Sequence, residues 1–409
     1  MQFIETIKSY FQNSPLLFKF AVGMVMIVYV PSLARLVRLP GMIALLAFGV
    51  LLGPYALGFY SSDNPISKFM SELGALLLMF SAGLGMDMRQ VGATMGRSVT
   101  FGIVAAVIPM ALGTLLGLAL GYTPIPSTVI GAVLASHTLV TMPILNRVGV
   151  LSFEPVVVGI GATAVSDTLA LIVFGLCTSI YTTGFSAVTL SVQVIEIALV
   201  VPLILFGLSR VGAYLLRHVE DEDGRITLML GVMAASAVLA EVVGLADIVG
   251  AFLAGLAVNR VLESKVSRER VDFLGKALFI PVFFAVTGFL IDPIAFAHGI
   301  ADNILLVCGL VAAPILGKGI AAFGLGGVFG YSTAGNMVLW AMSVPQLAAT
   351  LAMTVVAYKA RDPAGQPLMD GAVFNAVFVV IVATSTFGTA VTERFAPRLL
   401  EEGRSASRK

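Results

Sequence analysis

Apolar stretches of about twenty residues, separated by short polar turns, follow one another along almost the whole chain. A helix needs about 20 mostly apolar residues to cross the hydrocarbon of a bilayer, so each stretch predicts one membrane span. Thirteen are expected, the first six over 15–37, 42–60, 66–87, 98–122, 126–150 and 155–181. A seventh covers 189–217, and the last six run over 225–244, 247–263, 276–293, 303–331, 333–358 and 368–393. Turns such as Ser61-Ser62-Asp63-Asn64-Pro65 and Tyr122-Thr123-Pro124 punctuate the series. Residues 397–409 read as a short, charged, mobile tail. The first apolar run ends without a small-residue cleavage site, so it reads as a retained span and not a signal peptide.

Composition narrows the class. Of the 409 residues 58% are hydrophobic and only 11% charged, against about 25% charged in ordinary soluble domains. So little charge cannot solvate a surface of this size, which excludes a soluble enzyme, a nucleic-acid binder and a disordered chain. The net charge of +1 gives no basic footprint for nucleic acid. Cys177 and Cys308 both sit in apolar runs, so neither a disulfide framework nor a zinc site is suggested, and no cofactor is expected. Basic residues test the span count independently. With the N-terminus outside, 18 of the 24 Lys and Arg fall on the cytoplasmic side, among them Arg38, Arg89, Arg147, Arg225, Arg270 and the C-terminal cluster. That bias is the positive-inside pattern, and it predicts a multi-pass protein of the cell (inner) membrane with its C-terminus cytoplasmic.

Thirteen spans divide as six, a linker and six. A single-span linker inverts the second set relative to the first, giving the inverted repeat of many transporters, with a site near the midplane. The repeat boundaries fall at 15–181 and 225–393, around the linker at 189–217. Span five carries Thr141-Met142-Pro143, and its counterpart, span twelve, carries Ser343-Val344-Pro345. Proline removes a helix hydrogen bond and clashes with the preceding turn. Non-helical backbone at that depth survives only where it is buried in protein or lines a cavity. Two helices broken at matching places are therefore predicted, in preference to two ordinary kinks.

Charge at mid-span costs at least about 2.5–3.5 kcal/mol, so each such residue is a functional candidate. Glu241, Asp247 and Asp370 lie near span ends, and Glu72 has Lys68 one turn away for a local ion pair. Glu196 falls in the linker, with its role open. Asp167 lies near the centre of span six among small residues, and Lys318 midway along span eleven between Gly317 and Gly319. Buried carboxylates and amines exchange protons closer to neutrality than exposed ones. The broken segment of span five adds Ser136, His137, Thr138 and Thr141, whose hydroxyls and freed carbonyls suit a hard dehydrated cation. His137 is either a proton acceptor or a helix-packing hydrogen bonder. Gln346, after the second break, either offers an oxygen or orients the crossing.

Glu72-Leu73-Gly74-Ala75-Leu76-Leu77-Leu78-Met79-Phe80, continuing to Ala82-Gly83-Leu84 and Met86-Asp87, resembles the third-span signature of monovalent cation/proton antiporters. The similarity is to the branch with bacterial sodium/proton exchangers and Kef-type potassium systems. Gly250-Ala251-Phe252-Leu253-Ala254-Gly255 and Pro281-Val282-Phe283-Phe284 through Gly288 are similar to two further signatures. The resemblance implies an all-α fold with two crossed, broken helices, a homodimer embedded in lipid, and elevator-type transport. It also implies that Asp167 binds cation or proton, that Lys318 is the core lysine, and that Thr141 with the segment around Ser136 and His137 forms the first crossing. One departure stands out: where many electrogenic members have a first aspartate, this chain has Ser166. That implies one-for-one electroneutral exchange, or a cycle in which Lys318 or His137 replaces the missing carrier. Kef-type systems carry soluble nucleotide-binding domains, and these 409 residues contain none, so nucleotide gating is not expected.

The reading is a secondary antiporter exchanging Na⁺ or K⁺ for H⁺, with Asp167 as the site of competition. Two alternatives remain, a sodium-coupled organic-anion symporter of the same fold and a channel-like K⁺ efflux protein. No arginine lies at the midplane to hold an organic anion. No paired nucleophile and base lies within the spans, so an enzyme is excluded.

Overall fold

The computed structural model describes residues 14–36, 41–60, 64–85, 94–183, 195, 199–200, 202–219, 221–243, 245–259 and 265–406. Among them the chain is helical, with no strand beyond an isolated bridge between Arg361 and Pro367. Nine helices among the described residues are long and apolar enough to cross a membrane, and three shorter apolar helices accompany them. The helices are α1 (Leu16–Leu36), α2 (Gly41–Leu52), α3 (Pro65–Leu84), α4 (Met95–Ala119), α5 (Pro124–Ala135), α6 (Met142–Val148) and α7 (Glu154–Thr183). Then come α8 (Ser209–His218), α9 (Glu222–Val242), α10 (Asp247–Asn259), α11 (Lys265–Leu274), α12 (Ile280–Gly288) and α13 (Pro293–Asp302). The series closes with α14 (Ile304–Phe329), α15 (Thr333–Ser343), α16 (Ala348–Lys359) and α17 (Gly371–Ala406). Of the expected linker span, only its second half is described, as a π-turn at Leu203–Leu208 leading into α8. Glu196, Arg38, Arg89 and the Met86-Asp87 end of the first signature lie outside the described residues.

Helix ends follow local chemistry. Pro65 opens α3 behind Asn64, whose side-chain oxygen accepts from the Ile66 and Ser67 amides. Gly149 closes α6 at φ +85°, returning its N–H to Leu145 and Asn146, a left-handed position that favours glycine. Between α11 and α12 a π-turn at Gly275–Phe279 sends the Ile280 N–H five residues back to Gly275, just before Pro281, which has no N–H to give. The last helix does not stop at Pro397. It runs to Ala406, and Ala396 and Leu399 are buried against Leu145, Val156, Val338 and Met342, so the residues just beyond Pro397 are packed helix and not a mobile stub.

The chain forms two compact units. One comprises Met1–Gly85, Val200–Leu239 and Gly250–Asp302. Within it α3 and α10 meet at reciprocal glycines: a Cβ on Gly83 would strike the Phe252 carbonyl, and one on Gly255 the Phe80 carbonyl. Small residues let backbones approach where lipid supplies no hydrophobic drive for helix association. These glycines belong to the signature motifs, whose role here is packing. The other unit comprises Met86–Leu199, Ala240–Val249 and Asn303–Lys409 and holds the candidate site. Its core includes Phe101, Ala105, Val158, Ala162, Ala321, Ala322 and Leu339 from α4, α7, α14 and α15.

Candidate functional site

Two broken helices build the site. Helix α5 ends at Ala135, the chain turns extended at Ser136, and α6 begins at Met142 with Pro143 in its first turn. Helix α15 ends at Ser343, residues 344–347 are irregular with Pro345 among them, and α16 begins at Ala348. The two breaks bond to each other. Thr138 N–H donates to the Pro345 carbonyl at 2.8 Å, and Ala348 N–H donates to Thr138 Oγ1 at 3.1 Å. Gln346 ties the crossing together: its Nε2 donates to the Leu134 carbonyl at 2.9 Å, and its Oε1 accepts from Thr350 Oγ1 at 2.5 Å. Leu134 is in the last turn of α5, where carbonyls have no helix partner, so this amide satisfies an otherwise orphaned group. The Gln346 N–H itself reaches Thr384 Oγ1 on α17 at 3.1 Å.

Asp167 sits midway along α7, only 6% exposed, and accepts from the His137 main-chain N–H at 3.2 Å. The His137 ring does not face the carboxylate. Its Nδ1 lies 3.0 Å from Ser166 Oγ and its Nε2 2.9 Å from Thr163 Oγ1, both on α7. Lys318 on α14 is fully buried, and its ammonium donates to the Ser136 carbonyl at 2.5 Å. Among the described residues no ion pair joins Lys318 to Asp167, although their charges are close enough to interact. The lysine thus places positive charge at the C-terminal, partially negative end of half-helix α5. Ser136 Oγ pairs with Thr350 Oγ1 at 3.2 Å. Thr141 Oγ1 is buried with no hydrogen-bond partner among the described residues. An orphaned buried hydroxyl costs about 1–3 kcal/mol, which a ligand to that oxygen would offset.

The eleven residues that the sequence assigns to ion binding, charge compensation or the helix crossing all belong to this one unit. Contacts join Ser136, His137, Thr138, Ser166, Asp167, Lys318, Pro345 and Gln346 into one network. Ser343 instead donates to the Trp340 carbonyl within its own helix. Besides Thr384, three partners escaped sequence reading. Thr163 and Thr350 look like helix-interior threonines, and only the fold brings them to His137 and Gln346. Trp340 donates from its ring to the Ile315 carbonyl at 2.8 Å, fixing α15 on α14 one turn before Lys318. Of the outlying charges, Asp370 caps α17 through the Val373 N–H and accepts from the Tyr122 hydroxyl at 2.9 Å, while Glu72 is exposed. At the start of α7, Glu154 pairs with Arg97 and accepts from Tyr331, whose phenol burial and the neighbouring carboxylate push up to about 12.

Comparison with known proteins bears on the chain as a whole. A family model described as sodium/hydrogen exchanger, transmembrane, matches residues 22–396. The chain is 37% identical over 389 residues to the Na⁺/H⁺ antiporter NhaS5 of Synechocystis, covering 95% of this chain and 55% of that protein's length. It is 26% identical to a probable Na⁺/H⁺ antiporter 3 of Methanocaldococcus jannaschii, over 89% of this chain and 91% of that one. The Na⁺/H⁺-K⁺ antiporter GerN of Bacillus cereus is 25% identical over 68% of this chain and 71% of its own. In fold the chain is similar to the solved sodium proton antiporter MjNhaP1 of M. jannaschii at pH 8, with a TM-score of 0.71 over 94% of this chain and 98% of that one, at 15% identity.

Proposed function

This chain belongs to the sodium/hydrogen exchanger family, and from that membership we propose that it is a secondary antiporter trading a monovalent cation, Na⁺ or K⁺, for H⁺. One observation carries the reading: a buried carboxylate, Asp167, accepts a main-chain N–H from the unwound segment where two broken helices cross, a segment that ends at the unpartnered hydroxyl of Thr141. Asp167 holds either a proton or the cation, so competition for one group couples the two fluxes without a further device. Both loaded forms of the carboxylate are neutral, and the empty form is charged. A buried, desolvated carboxylate without its ion is the costly state, so the empty site disfavours crossing and exchange becomes obligatory. The site-bearing unit, Met86–Leu199 with Ala240–Val249 and Asn303–Lys409, carries the ion in an elevator-type cycle. Lys318 stays on the Ser136 carbonyl, and with Ser166 in place of a second carboxylate the exchange is one-for-one and electroneutral. The protein works as a homodimer in the lipid of the inner membrane, N-terminus outside and C-terminus cytoplasmic. K⁺ stands beside Na⁺ because the similar GerN is named for both.

The test is reconstitution into liposomes holding a pH-sensitive dye and a proton gradient, with Na⁺, K⁺, Li⁺ or choline added in turn. Cation-selective proton release is expected from the wild type and none from Asp167→Asn, which should still fold. Robust cation-dependent flux from that variant would sink the assignment of Asp167. Silence of the wild type toward every cation would redirect attention to organic-solute symport.

A further inference from the structure

Three successive residues tie the unwound segment to its surroundings, each to a different place. Ser136 bonds to Lys318 on α14 and Thr350 on α16, and Thr138 to Pro345 and Ala348 of the second break. His137, between them, reaches α7, the helix that bears Asp167. Its ring spans one turn of that helix, with Thr163 on one nitrogen and Ser166 on the other. Each hydroxyl also has a carbonyl on its own helix within reach, Gly159 for Thr163 and Thr163 for Ser166, both at 3.1 Å. A neutral imidazole donates from one nitrogen and accepts at the other. The hydroxyl facing the donating nitrogen keeps its proton on its carbonyl, and the other hydroxyl turns its proton to the ring. Either tautomer therefore satisfies every group, and the ring is held at two points. The main-chain N–H of this doubly held residue is the one on Asp167 Oδ1.

We propose that His137 is a positioning residue for the transport carboxylate. Its clamp on Thr163 and Ser166 sets the height of the unwound segment along α7. That places the His137 N–H on one oxygen of Asp167 and leaves the other oxygen for the cation. Ser166 gains a specific part in this arrangement: the residue before the carboxylate is the hydroxyl that seats the imidazole. The inference rests on reading Asp167 as the exchange site. The clamp acts on side chains away from the ion, so its loss degrades coordination more than passage, and affinity falls further than maximal rate.

The experiment measures KM for Na⁺ and maximal rate of Na⁺-driven proton release in liposomes for the wild type, His137→Ala, His137→Asn and the pair Thr163→Ala with Ser166→Ala. His137→Ala should raise KM by about tenfold, the worth of one hydrogen bond to a charged group, with a much smaller fall in maximal rate. His137→Asn keeps an amide at the reach of Nδ1 and should recover part of the affinity. The hydroxyl pair should mimic His137→Ala and add little when combined with it, since both break one clamp. An unchanged KM in His137→Ala, or a loss of thermal stability without a KM change, would overturn the proposal. So would full additivity of the two sets. If His137→Ala fails to fold, the hydroxyl variants decide on the same terms: a raised KM supports the clamp and an unchanged one overturns it. A wild type without cation-driven proton release removes the proposal together with the reading beneath it, and that result is seen before any variant is made.

Discussion

A buried lysine without a carboxylate partner needs another reason to be tolerated, and Lys318 has one in the Ser136 carbonyl. Replacing it by methionine fills the same space but leaves that carbonyl without its donor at the end of α5. The expected cost is about 1–3 kcal/mol, read as a lowered Tm, with exchange slowed alongside. Wild-type stability and activity in Lys318→Met would reduce the lysine to a packing residue. Ser166 invites the opposite experiment. Ser166→Asp would set a second carboxylate beside His137 and near Lys318, adding a charge that can be exchanged in each cycle. Proton release that ignored a voltage clamp in the wild type should then become voltage-sensitive. Persistent insensitivity to voltage would show that stoichiometry is set elsewhere.

At the scale of elements, the half-helices matter more than their prolines. Pro345 lies in its gap, but Pro143 stands in the first turn of α6, where the missing N–H costs nothing because that amide is unpaired in any helix. The gap before it is held open by the bonds of Thr138 to Pro345 and Ala348 of the second break, while Gln346 ties that break to the end of α5. Gln346→Leu keeps the volume and removes the bonds to the Leu134 carbonyl and Thr350, stranding the buried Leu134 carbonyl at the end of α5 while Thr350 keeps Val133 and Ser136. A loss of about 2 kcal/mol or more is expected, seen as a lower Tm and faster proteolysis of the detergent-solubilised protein. Full retention of both would mean the crossing is held by the Thr138 bonds and apolar packing without the Gln346 amide. The glycine approach of α3 to α10 works differently, by shape without polar bonds, and a signature motif in sequence reads it only as a run of small residues.

For the whole molecule, the proposed competition of two ions for one carboxylate has a quantitative consequence. Where protons occupy most of the sites, the apparent KM for the cation should rise about tenfold for each unit that pH falls, and flatten where they do not, as competition for a single group requires. Flux assays across pH at fixed gradient measure that slope, and a steeper one would demand a second titrating group. What the sequence determined by itself is the membrane character and the all-helical build. A hydrocarbon slab of fixed thickness demands a local run of apolar residues, and a local run is legible. The paired breaks and the isolated charges Asp167 and Lys318 were legible for the same reason, since each is an exception within such a run. The packed turn beyond Pro397 was not, because a charged segment with a proline looks like a terminus until Ala396 and Leu399 meet Leu145 and Val338. Nor was the choice of partners. Lys318 takes a carbonyl instead of a carboxylate, His137 turns its ring from Asp167 and offers its backbone, and Thr163 and Thr350 enter the network. Those bonds join residues far apart in the chain. Their geometry is decided only when helices pack and every buried donor and acceptor must find its match.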